Sequence, residues 1–195
     1  MNKILTVTIL LFSTLAFSQK LNNFGVFSGI NYSYYTDGFG GSIAGENSIG
    51  LQIGALYNVE LTKNLSFRPK LVFSQQGDRT RTERQDEGSL RLNELDYKLT
   101  YLNVPLDFKF WDKIYLIAGP QIGFIINQRK GDVHIGNVPS TDIGVNLGTG
   151  FKVHHVFVEF GIYQGATTLL NFRHSSGNTV DVKNGHAKFT LGYNF

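Results

Sequence analysis

His174-Ser175-Ser176 sets a base beside two hydroxyl nucleophiles, and His186 follows a short way along the chain. Hydrolysis or acyl transfer would need the nucleophile within hydrogen-bond reach of its base, and a third group orienting that base. Neighbours in sequence do not establish that geometry, and the tandem reads as a solvated loop. His134, His154 and His155 lack the acidic companions and the spacing of a metal centre. The chain has no cysteine, which removes thiol chemistry, thiolate ligands and disulfides. No catalytic residue, metal ligand or cofactor is therefore assigned.

A second set of chemistry-bearing residues is more orderly. Glu60, Arg68, Lys70, Asp107, Lys109, Lys152, Glu159 and Lys188 each occupy a polar position within a stretch of alternating apolar and polar residues. Alternation with period two puts one set of side chains on each face of a β-strand. These eight residues therefore share the polar face of a sheet. With both signs present, they can form a paired network that fills a narrow interior, or they can build a binding site or selectivity constriction. A small barrel fills its lumen with its own side chains, which favours the network.

Eight such stretches position them: Phe24–Tyr34, Ile49–Leu61, Leu65–Gln75, Leu99–Phe110, Ile114–Asn127, Asp142–Lys152, Val156–Gln164 and Gly185–Phe195. The second has the cleanest pattern, with Ile49, Leu51, Ile53, Ala55, Tyr57, Val59 and Leu61 on one face. Phe27 breaks the pattern of the first. The connections alternate between long (36–48, 77–96, 128–141 and 166–184) and short (62–64, 111–113 and 154–155). A soluble meander has no reason for that rhythm. An up-and-down barrel crossing the outer membrane has one, because its periplasmic turns are short and its surface loops long.

Residues 1–18 begin with Lys3, continue through an apolar run and end at Ala16-Phe17-Ser18, the pattern of a secretory signal peptide. Residues 19–195 are then one domain. With 17% charged residues, 22 glycines, 16 Phe and 9 Tyr, the composition departs from that of a soluble domain. A formal charge of +3 gives no case for nucleic acid. A soluble eight-stranded barrel with an apolar lumen is the structural rival. Two features favour the membrane. Aromatics of the apolar face, among them Phe67, Phe108, Phe110, Phe151, Tyr193 and Phe195, gather near the short turns, like an interfacial girdle. The polar face is dominated by Gly, Asn, Gln and Ser, which suit a crowded interior better than bulk water. Pro69, Pro105 and Pro120 fall inside strands, where each removes a ladder donor, and bulges are expected there.

Tyr101-Leu102-Asn103-Val104-Pro105-Leu106, Ala118-Gly119-Pro120, the closing Gly192-Tyr193-Asn194-Phe195 and the segment Leu65–Gly77 resemble the PorT-type outer-membrane β-barrel family of Bacteroidetes. The resemblance spans nearly all of residues 19–195 and places the three prolines in motif positions. It implies an outer-membrane barrel without known catalytic residues, in a family with a few members tied to protein secretion.

The expectation is an all-β, eight-stranded antiparallel transmembrane barrel with both termini in the periplasm. Its partners would be outer-membrane lipid, barrel-assembly machinery reading Tyr193 and Phe195, and other envelope or secretion proteins. The charged loop 77–96, with Arg79, Arg81, Arg84 and Arg91 among six acids, reads first as a solvated extension, and second as a surface for polysaccharide or protein. A non-enzymatic structural or interaction role ranks first. Ligand binding or transport through the interior ranks second, and a lipid-modifying enzyme third.

Overall fold

The computed structural model describes residues 23–36, 48–77, 97–130, 133–134, 140–173 and 179–195. The expected signal peptide, the His174-Ser175-Ser176 tandem and residues 78–96 of the charged loop lie outside them. The strands are β1 (Phe24–Thr36), β2 (Ser48–Tyr57), β3 (Val59–Thr62), β4 (Leu65–Gly77), β5 (Tyr97–Phe110), β6 (Ile114–Lys130), β7 (Val133–His134), β8 (Thr141–Val153), β9 (Val156–Arg173) and β10 (Thr179–Asn194). β2 and β3 are two halves of one wall strand, separated at Asn58, and both pair with β4. The Asn58 N–H turns aside to the Asn23 carbonyl at 2.7 Å. β7 is a short ribbon on β6 alone. Eight walls remain, each antiparallel to the next, and β1 pairs with β10 from Gly25↔Asn194 to Thr36↔Lys183. The sheet closes on itself as an eight-stranded up-and-down barrel, so no wall strand is left as an open edge.

The alternating side chains then separate into outside and inside. Ile49, Leu51 and Ile53 are 66%, 63% and 62% exposed, and Leu71, Ile126, Ile143, Phe160 and Leu191 continue the apolar surface around the barrel. A belt of this extent far exceeds the few hundred square ångströms that a protein surface keeps against water. It is a surface for hydrocarbon, and the strand lengths exceed the roughly 9–11 residues needed to cross it at a tilt. The inside holds Asn31, Gln52, Arg68, Asp107, Asn146 and Glu159, all buried.

Three sequence expectations change, and the exception at Phe27 finds its place. The stretch 166–184 is not mainly a linker: β9 runs on to Arg173 and β10 starts at Thr179, paired as Thr179↔Arg173, with register shifts flanking Lys183. The strict alternation lapses at Thr167-Thr168 and Leu169-Leu170, so the period-two signal fades while the strand continues. The same effect hid the extension of β6 to Lys130. Phe27 points inward, 6% exposed, and packs with Leu56, Val72 and Phe157. Gly54 makes the room, since a Cβ there would come within 2.6 Å of the Phe27 ring. The prolines mark no bulges: register runs unshifted past Pro69↔Leu106, Pro105↔Gln121 and Pro120↔Val145. The shifts fall instead near Thr100, Glu60 and Lys183.

Candidate functional site in the barrel lumen

The middle of the lumen is closed by ions from opposite walls. Arg68 on β4 donates from Nη1 to Glu159 Oε1 on β9 at 2.6 Å. Lys70, two residues along and therefore on the same face, donates to Glu159 Oε2 at 2.9 Å and lies 3.0 Å from Asp107 Oδ2 on β5. Tyr115 donates its hydroxyl to Glu159 Oε1 at 2.9 Å. The Arg68 guanidinium lies 5.5 Å from the centre of the Tyr115 ring and 5.3 Å from that of Phe157. Each carboxylate is thus matched by a cation and by further donors, the condition under which buried ions are tolerated.

Amides extend the network. Asn146 Nδ2 donates to Asp107 Oδ1 at 3.3 Å and to Gln121 Oε1 at 3.0 Å, while its Oδ1 accepts from Lys188 Nζ at 2.8 Å. Gln52 bonds Thr190 across the intervening β1 at 2.8 Å. The gap beside Lys70, Glu159 and Lys188 is about 20 Å³, room for about one water. Towards the long-loop end a second polar layer follows. Asn31 and Gln76 both donate to Ser74, and Asn184 bridges Gln76 and Asp142.

Of the eight charges read from the alternation, Arg68, Lys70, Asp107 and Glu159 meet directly, and Lys188 joins through Asn146. Lys109 turns to the short-turn end and donates to Asp112 at 3.0 Å. That bond, more than any other influence, holds the Asp112 carboxyl below its ordinary value. Glu60 and Lys152 stand apart from the cluster, lining a cavity of about 230 Å³ that opens at the short-turn end. Arg68, Tyr115 and Phe157 also line this cavity, between its mouth and the mid-lumen ions.

Tyr115, Asn146, Gln121 and Gln52 were not singled out from the sequence as members of the network. A signal existed: Asn is disfavoured in mid-strand, so an amide such as Asn146 at a polar position deep in a wall marks an interior partner. His186, read as a candidate base, is buried at 2% and stacks on Tyr163 with ring centres 4.9 Å apart. His155 lies at the other end, its Nδ1 2.9 Å from the Asn194 carbonyl and its ring on Tyr193. The side chain of His134 is outside the described set. Phe195 stacks on Phe24, with ring centres 5.9 Å apart, and donates its N–H to the Phe24 carbonyl at 2.9 Å.

Comparison with solved structures finds the same architecture. Neisserial surface protein A aligns with a TM-score of 0.60 at 14% identity, over 88% of this chain and 97% of that one. Ail, the attachment invasion locus protein of Yersinia pestis, in complex with the heparin analogue sucrose octasulfate, aligns at 0.50 with 16% identity, over 89% and 98%. At these identities the likeness concerns the fold alone. Comparison with curated protein sequences finds no match. Residues 17–171, most of the chain, match the model of the outer membrane protein beta-barrel domain. A closed eight-stranded barrel with a hydrocarbon-facing belt and this sequence match belongs to the outer membrane protein beta-barrel domain family.

Proposed function

We propose that this protein is a non-enzymatic outer-membrane barrel that does not conduct, and that it acts through its long loops and its short-turn rim. The observation that carries this reading is the mid-lumen closure: Arg68, Lys70, Asp107 and Glu159 cross-link opposite walls and leave about 20 Å³ beside them. A solute would have to separate ion pairs in a poorly hydrated interior, which is strongly unfavourable. In planar bilayers the purified protein should show no steady large conductance; porin-like currents would overturn the reading.

In this reading the short turns, the N-terminus of residues 19–195 and Phe195 face the periplasm, as the alternation of loop lengths favours. The resemblance to PorT-type barrels supports assistance to protein secretion as the more specific role. A pull-down from crosslinked outer membranes separates the two: a secretion role requires other envelope components to come down, whereas a stand-alone barrel comes down alone. Lipid modification is disfavoured because His186, one of the two histidines considered for it, is turned into the lumen and stacked on Tyr163 rather than presented at the rim.

A further inference from the structure

The cavity at the short-turn end has a chemistry distinct from that of the plugged mid-lumen. Among the described residues its walls carry the cations Lys63, Arg68, Lys109 and Lys152 but only two carboxylates, Glu60 and Asp112. Arg68 is engaged by Glu159 and Lys109 by Asp112. Lys152, half-buried in the wall, makes no ion pair among the described residues. The space therefore favours an anion.

The uncharged lining narrows the class. Asn23, Asn58, Asn64 and Asn194 border the cavity with Ser66 and Thr62, so an acyl chain would strip water from many polar groups without replacing their bonds. These amides and hydroxyls offer acceptors as well as donors, and neither a bare phosphate dianion nor a simple carboxylate donates to an acceptor. A ligand that satisfies both Lys152 and this lining carries a negative group and hydroxyls together.

Trp111 supplies the third element. It borders the mouth of the cavity, 54% exposed, at the tip of the β5–β6 turn. Its φ is 69°, the left-handed region that an L-residue enters at a cost and glycine enters freely. Its N–H is tied to the Asn64 carbonyl at 2.8 Å, one rung beyond the Leu65↔Phe110 pair, which fixes this turn against the neighbouring β3–β4 turn. His154 in the β8–β9 turn shares that left-handed region with φ 55°, and of the two it is the Trp111 ring that borders the cavity. The flat apolar ring beside amides and an unpaired ammonium matches the two sides of a sugar: carbon–hydrogen face on the ring, hydroxyls on the amides. A cavity of about 230 Å³ is smaller than the roughly 300–1,000 Å³ of pockets for drug-sized ligands, and fits one ring.

We infer that the short-turn vestibule is a binding site for a carboxylated sugar unit, with Lys152 taking the carboxylate, the amide and hydroxyl lining the sugar hydroxyls and Trp111 the ring face. This deepens the proposal that the rim is a working surface, and rests on it only for the biological setting. Trp111 is the chain's single tryptophan, so its fluorescence reports on the site directly. Folded protein in detergent micelles, titrated with glucuronate, should give a saturable change in fluorescence, with glucose and inorganic phosphate each at least about ten-fold weaker. Lys152→Gln should weaken glucuronate about ten-fold. Trp111→Gly, which suits the backbone of the turn, should weaken it several-fold by calorimetry while the unheated electrophoretic shift of the folded barrel persists. Absence of saturable glucuronate binding overturns the inference. So does glucose binding as tightly as glucuronate, or phosphate doing so, since these mark a neutral or a bare-anion site. Bilayer conductance is measured independently: a conducting barrel that binds glucuronate loses only the closed-lumen reading, and a silent barrel that fails to bind loses only this one.

Discussion

Glu159 is the residue on which the lumen depends most. It is the one carboxylate that bonds Arg68, Lys70 and the Tyr115 hydroxyl together. Glu159→Gln keeps the shape and removes the charge, leaving two buried cations facing Asp107 alone. Loss of one member of a buried pair costs about 3–5 kcal/mol. The urea midpoint of the unheated electrophoretic shift should fall accordingly, and an unchanged midpoint would show that the ions are hydrated in the lumen. Asp112 is the contrasting case. Its carboxyl lies below the ordinary value of 3.8 because Lys109 donates to it, so its contribution is complete above that value and is lost as pH falls through the lowered one. Its side chain is 69% exposed, so the pair is worth at most about 1 kcal/mol. Asp112→Asn should leave the urea midpoint nearly unchanged at neutral pH, and should strengthen glucuronate binding by freeing Lys109. Weaker binding in that variant would remove Lys109 from the site.

At the level of elements, the strands hold the ions in place through packing between walls. Gly192 on β10 faces Phe27 on β1 on one side and Phe157 on β9 on the other. A Cβ at Gly192 would run into the Phe157 ring, which packs beside the Arg68 guanidinium. Gly192→Val therefore drives an aromatic ring against the ion cluster and should destabilise the barrel by about 1–3 kcal/mol, read as a urea midpoint. A second change, Phe157→Leu, should recover part of that loss. If both variants are destabilised independently, with no recovery in the pair, the ring and the glycine are not coupled.

For the whole molecule, closure joins the first wall strand to the last. β1 and β10 pair along their length, and at the short-turn rim Phe195 stacks on Phe24 while Tyr193 packs on both His155 and Phe195. We expect deletion of Tyr193–Phe195 to abolish membrane assembly in cells, seen as loss of the heat-modifiable band from the membrane fraction. Refolding of the same variant into detergent should be only weakened, because the deletion removes just a few stacked rings and the end of one ladder. Normal insertion in cells would refute a recognition role for these aromatics. Equal failure in detergent would reduce them to a structural role.

The number of wall strands, their apolar faces and the alternation of long and short connections were determined by sequence alone. Period two in Ile49–Leu61 and in Gly185–Phe195 follows from local geometry and needs no partner to be visible. The signal weakens in Ala166–Arg173, where Thr167-Thr168 and Leu169-Leu170 put like residues side by side and the strict alternation lapses although the strand continues. Which charges meet was decided only by tertiary structure. Arg68 and Glu159 lie on strands far apart in the chain, and Lys109 and Lys152, on equivalent polar faces, end in a different compartment. Pairing across a lumen depends on strand tilt, stagger and the space left by glycines such as Gly54, quantities that arise when the sheet closes. The division of one polar interior into a plugged middle and an open vestibule at Trp111 is a property of that closure.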